Sequence, residues 1–131
     1  MSEAAIRSMF RIGDAVHGDA ADTWTWRVEP VAEQAVYSGH FPGRPITPGA
    51  AMVQLVQHLA SQADGNRLRL KSARHIKFLT PVDPTKCAYF HMKLTLNHAG
   101  DGTIGLDAEA TTDAYDRTHM VLLKMKAVLA R

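Results

Sequence analysis

At 131 residues, 46 % of them hydrophobic, the chain is long enough for one domain with a real core, burying roughly two thirds of its unfolded surface. A formal net charge of +2 argues against a dedicated nucleic-acid binder, and one cysteine, Cys87, excludes an internal disulfide framework. No apolar run is long enough for a membrane span, and Met1-Ser-Glu-Ala-Ala-Ile-Arg carries an early acid and no apolar signal core; the expected setting is soluble and cytoplasmic.

Phe10 to Val16 reads as a first strand, with His17-Gly18-Asp19 as a turn. In Thr23-Trp-Thr-Trp-Arg-Val-Glu29 a period of two places Trp24, Trp26 and Val28 on one face, the pattern of a half-buried strand that Pro30 ends. Residues 39–49 hold three prolines and three glycines, which fits a stiff, shaped loop and no regular element. Ala50 to Ala63 is free of both and apolar on nearly every side, as a buried helix would be. Thr47 is the expected cap, Pro48 suits the first turn, and Gly65 suits the end.

An extended stretch from Arg67 to Val82 follows. Cys87 to Leu96 is a strand with Ala88, Phe90, Met92, Leu94 and Leu96 on its apolar side. Gly100-Asp101-Gly102 signals a turn, Ile104 to Ala110 alternates again, and Thr118 to Leu129 is a final apolar strand. The order implies an α+β fold: an antiparallel sheet of five or six strands wrapped around one long buried helix, in a single domain over 1–131.

Gly39-His-Phe-Pro-Gly-Arg-Pro-Ile-Thr-Pro-Gly49 carries the chemistry. It resembles the β-hydroxyacyl-acyl-carrier-protein dehydratases, whose His-Phe-Pro-Gly-x-Pro-x-x-Pro-Gly signature is filled at every fixed position by His40, Phe41, Pro42, Gly43, Pro45, Pro48 and Gly49. Ile76-Lys-Phe-Leu-Thr-Pro-Val-Asp-Pro84 is similar to a second stretch of that family, but Thr85-Lys86 stands in place of its Gly-Asp turn. The resemblance implies the hot-dog fold and removal of water from a 3-hydroxyacyl thioester, in fatty-acid or in polyketide or aryl-polyene-type synthesis. It also implies an acyl carrier protein or coenzyme A as the thiol carrier, no cofactor, and a homodimer or higher even oligomer with the site between subunits.

Dehydration needs a base for the proton beside the carbonyl, a donor for the thioester oxygen, and help for the departing hydroxyl. His40 suits the first task because histidine titrates near working pH and the loop is rigid. The Gly49 and Ala50 amides, free at the positive end of the helix, suit the second. For the third, the resembled family has a carboxylate fourteen residues after the histidine, where this chain has Gln54, a group that holds a hydroxyl or water but donates no full proton. His58 lies one turn further on the same face and is either a proton source or a packed histidine. Phe41 and Pro48 complete the expected substrate-binding set.

Arg67, Arg69 and Lys71 alternate along one strand face, and Arg44 lies within the loop; they are either a solvated surface or a docking site for an acidic carrier. The remaining histidines, His17, His75, His91, His98 and His119, lack metal-ligand spacing and are expected at the surface or in packing; no metal site is expected. Cys87 reads as a packing residue. Two further functions stay open: a hot-dog acyl thioesterase, which would lack its usual helix carboxylate, and a catalytically weak acyl-binding subunit of a dehydratase.

Overall fold

The computed structural model describes residues 2–20, 22–32, 46–115 and 118–131. The elements in chain order are α1 (Glu3–Met9), β1 (Phe10–Ile12), β2 (Val16–His17), β3 (Thr23–Pro30), α2 (Gly49–Asp64), β4 (Arg69–Phe78), β5 (Phe90–His98), β6 (Thr103–Thr112) and β7 (Met120–Ala130). Among the described residues these strands form one seven-stranded antiparallel sheet in the order β1-β3-β5-β6-β7-β4, with β2 also pairing β3.

The period of two is what makes this sheet curl around a helix. Phe90, Met92 and Leu94 of β5, Leu106 and Ala110 of β6, and Leu123 and Leu129 of β7 all point inward and are buried, as are Trp26 and Val28 of β3. They meet Ala51, Met52, Leu55, Val56, Leu59 and Ala60 of α2. Full burial of each large aliphatic side chain contributes about 1.5–3 kcal/mol before conformational entropy is counted. Gly65 ends α2 with φ +79°, a left-handed value that favours glycine. The Gly100-Asp101-Gly102 turn forms as expected, with Asp101 Oδ1 accepting from the Thr103 amide at 3.0 Å.

Several expectations need correction. The chain opens with a helix ahead of its first strand: Ser2 caps α1 by accepting from the Ala5 amide, and Ile6 and Met9 bury against the core. The cap of α2 is Pro48, one residue later than Thr47, and it makes no side-chain cap hydrogen bond. Cys87 and Ala88 precede β5; Cys87 is buried in the connecting segment, while Ala88 is exposed. Burial pushes the Cys87 thiol up, away from the thiolate, as suits a packing residue.

The α2 helix is also not enclosed on every side. Gln54, Gln57, His58 and Ser61 are only half-buried, and their i, i+3, i+4, i+7 spacing forms a polar stripe along the face that the sheet leaves open. That face is pinned to the start of β4: Gln57 Oε1 accepts from the Leu70 amide at 2.8 Å, and Ser61 Oγ accepts from the Leu68 amide at 2.9 Å. The pairing of β4 with β7 shifts register between Leu70 and Ser72 and between Ala73 and His75, leaving Lys71 and Arg74 as the extra residues of two bulges. The simple alternation expected for Arg67, Arg69 and Lys71 therefore fails: Arg67 lies before the strand and Lys71 on a bulge, although all three are exposed.

Candidate active site

His40, Phe41 and Arg44 lie outside the described residues, so the expected base stands on sequence alone. The described part of the site begins at Ile46, where the chain enters α2. The Thr47 amide donates to the Val82 carbonyl at 2.8 Å, which ties the end of the loop to the segment after β4. Pro48, extended with φ −58° and ψ 140°, turns the chain into the helix, and its carbonyl accepts from the Ala51 and Met52 amides. Gly49 and Ala50 are the first two helical residues, and their amides have no intrahelical acceptor. They carry the partial positive charge of the helix start, as an oxyanion donor must.

In front of this helix start lies an apolar cavity of about 220 Å³, bounded by Ile46, Met52, Val82, Leu122 and Leu123, with the Phe78 ring at its edge. A Cβ on Gly49 would come within 2.9 Å of Phe78 Cζ, so the ring occupies the space that a side chain there would need. A side chain at 49 would therefore have to push the Phe78 ring aside, so the contact favours glycine there without requiring it. The sequence reading missed Phe78; its place in Ile76-Lys-Phe78, beside the family-like Pro-Val segment, was the available signal.

Gln54 and His58 line a second cavity, an open groove of about 640 Å³ between α1, α2 and the start of β4, together with Glu3, Arg7 and Arg67. They share a face, as the spacing required. Burial lowers the His58 pKa from its ordinary 6.5; Glu3 opposes this and Arg7 adds to it. Burial thus works against the protonated imidazolium, which disfavours His58 as a replacement acid.

One chain does not bring Gly49 and Gln54 together. Five helical residues put them about 140° apart around the axis and about 7.5 Å apart along it. They accordingly border different cavities. Of the expected docking cations, Arg67, Arg69 and Lys71 are exposed and form no ion pair among the described residues. No group of potential ligands that could hold a metal ion occurs among the described residues, and none of their helices is long and apolar enough to cross a membrane.

A chain of the dehydratase heterocomplex ApeI:P from Xenorhabdus doucetiae superposes with a TM-score of 0.66 at 19 % identity, over 91 % of this chain and 98 % of that one. The E. coli PaaI protein from the phenylacetic acid degradation operon gives a TM-score of 0.64 at 13 % identity, over 98 % of this chain and 84 % of that one. An acyl-CoA hydrolase mutant from Staphylococcus aureus, solved in complex with coenzyme A, gives 0.61 at 10 % identity, over 83 % of this chain and 64 % of that one. These likenesses establish the hot-dog fold that the loop motif implied. No curated protein matches the chain in sequence. The ApeI-like family, described as ApeI dehydratase, matches residues 16–112, a span that takes in the whole loop motif, the start of α2 and Gln54. The chain belongs to the ApeI-like dehydratase family.

Proposed function

We propose that the protein dehydrates a 3-hydroxyacyl thioester, with His40 as the base, the Gly49 amide polarising the thioester carbonyl, and Gln54 orienting the departing hydroxyl or water. The observation that carries this reading is the helix start at Gly49, a residue with no intrahelical acceptor for its amide that borders an apolar cavity, in a chain of a dehydratase family. The charge that develops on the thioester oxygen is met by donors already in place, so little reorganisation is needed as the proton leaves. The acyl chain lies in the apolar cavity. The thiol carrier, an acyl carrier protein or coenzyme A, approaches past exposed cations such as Arg67, Arg69 and Lys71, with Arg44 as a further contact.

The working unit in this reading is a homodimer. Gly49 and Gln54 face different cavities, so Gln54 serves the substrate held by its partner's loop. Among the described residues the sheet has one long open edge, the ten-residue β4, next to the open polar stripe of α2. Phe78 and Leu79 at its end are 54 % and 52 % exposed, an apolar surface that pairing would cover.

A second reading is favoured by Gln54 itself. Loss of a general acid costs about 10²- to 10⁴-fold in rate, so the chain is then an acyl-binding subunit completed by a different, catalytic chain. The dehydratase similar to it comes from a heterocomplex. The test is incubation with 3-hydroxyacyl carrier protein followed by product identification. Enoyl thioester supports dehydration, binding without turnover supports the subunit reading, and release of free acid overturns both in favour of a thioesterase.

A further inference from the structure

We infer that Tyr115 is a positioning residue for the helix start: its hydroxyl fixes the Pro81–Asp83 segment, and that segment holds the chain where it enters α2. The inference rests on the dehydratase reading above, in which the Gly49 amide meets the thioester oxygen. After β4 the chain leaves the sheet and borders the apolar cavity through Pro81 and Val82. Pro81 and Pro84 have no amide to give to a neighbouring strand, so this stretch needs another anchor. Tyr115 supplies it. The Asp83 amide donates to the Tyr115 hydroxyl at 3.0 Å, and that hydroxyl donates to the Pro81 carbonyl at 3.2 Å. The two groups flank Val82, whose own carbonyl accepts from the Thr47 amide at 2.8 Å. Gly49 follows two residues later. The brace therefore runs from Tyr115, through the peptide groups around Val82, to the chain that presents the Gly49 amide.

The phenol is itself held in place. Thr112 Oγ1 accepts from the Ala114 amide at 3.0 Å and donates to the Tyr89 carbonyl at 2.5 Å, and the Thr118 amide donates to the Tyr115 carbonyl at 3.0 Å. Burial raises the Tyr115 pKa above its ordinary 10, opposed by the Asp83 amide, so the hydroxyl keeps the proton that it donates. Val82 and Thr47 are both buried, which leaves the linked pair little room to shift while the brace is intact. Every contact in it lies within one chain, so it forms whatever covers the β4 edge. A donor for developing charge must be held to about 0.5 Å, and rigid support of this kind is what achieves it.

The test is steady-state kinetics of enoyl formation by the wild type, Tyr115→Phe and His98→Ala. Phenylalanine keeps the ring and removes the hydroxyl. In Tyr115→Phe kcat should fall about tenfold with KM unchanged, because the Gly49 amide acts on charge that develops in the transition state, and outright loss of such a donor costs about 10²- to 10³-fold. His98→Ala breaks an ion pair at the other end of α2 and should keep the wild-type kcat, which separates misplaced chemistry from general loss of stability. An unchanged kcat in Tyr115→Phe, a change in KM alone, or an equal loss of kcat in His98→Ala overturns the inference. A wild type that turns over no 3-hydroxyacyl thioester defeats the dehydratase reading instead, and amide hydrogen exchange then decides the role of Tyr115. Faster exchange at Thr47 with unchanged exchange at Leu70 in Tyr115→Phe supports the brace. Unchanged exchange at Thr47, or faster exchange at both, overturns it.

Discussion

His98 Nε2 lies 2.8 Å from Asp64 Oδ1, while His98 Nδ1 lies 3.3 Å from Asp22 Oδ2, so one imidazole bridges two carboxylates at the far end of α2. Asp64 is the last residue of that helix, where the dipole disfavours a negative charge, and its side chain is only 3 % exposed. Burial pushes its carboxyl up, but hydrogen bonds from His98, Arg131 and Asn66 outweigh this and hold its pKa below the ordinary 3.8. The hydrogen bond to Asp64 raises the His98 pKa above 6.5, against some desolvation and with help from Asp22. His98 thus stabilises the fold fully below its unfolded pKa, and that contribution fades as pH rises through the raised folded value. Asp64 contributes above its unfolded pKa and fades as pH falls through the lowered one.

Urea unfolding of the wild type against pH should therefore show a loss as pH rises above 6.5 that His98→Ala lacks. Because His98 is more than a third exposed, the difference should be modest, about 0.5–1 kcal/mol. Parallel pH curves for the two proteins would show that the contact contributes nothing.

Gln57→Ala should cost about 1 kcal/mol, because it removes the acceptor of the Leu70 amide at the first bulge of β4. Chemical denaturation measures the cost, and hydrogen exchange locates it. The Leu70 amide should lose protection while the centres of β5 and β6 keep theirs.

The Gln54→Glu variant restores the carboxylate that the dehydratases carry on this helix. Its half-buried position should raise the carboxyl pKa and keep a fraction protonated, so the enoyl-formation rate should rise or stay level. Since burial disfavours the protonated form of His58, His58→Ala should cost far less than the 10²-fold that marks loss of a general acid. A large loss in His58→Ala would restore it as the proton source.

Light scattering at micromolar concentration should report a dimer or an even multiple. If the sites are shared, mixing inactive His40→Ala with inactive Gln54→Arg should recover activity, because a mixed dimer holds one intact site. A monomer, or mixtures that stay inactive, would contradict the shared site.

The sheet was legible because alternation along β3, β5, β6 and β7 is a direct record of one buried face. The end of α2 at Gly65 was legible for the same kind of reason, a local backbone demand. The open face of α2 is less legible: Gln54, Gln57, His58 and Ser61 make a polar stripe at helical spacing, but it is masked by the abundance of apolar neighbours. The Ser2 cap and the helix formers of Glu3-Ala-Ala-Ile-Arg7 also carry a local helix signal. The bulges at Lys71 and Arg74 have no local signal, because they arise from how β4 meets β7. His98, expected as a surface or packing residue, is the centre of an ion-pair network, and its partner Asp64 is too distant in sequence for spacing to show it. The contact of Phe78 with Gly49 joins a strand end to a helix start, which only the folded chain brings together.

The most direct measurement is the rate of enoyl formation from a 3-hydroxyacyl carrier-protein thioester by the wild type and by His40→Ala, with circular dichroism to show that both are folded. Dehydration by the wild type and its loss by about 10²- to 10⁴-fold in the folded variant is the predicted result. Equal turnover by the two proteins would remove His40 from the chemistry and contradict the account.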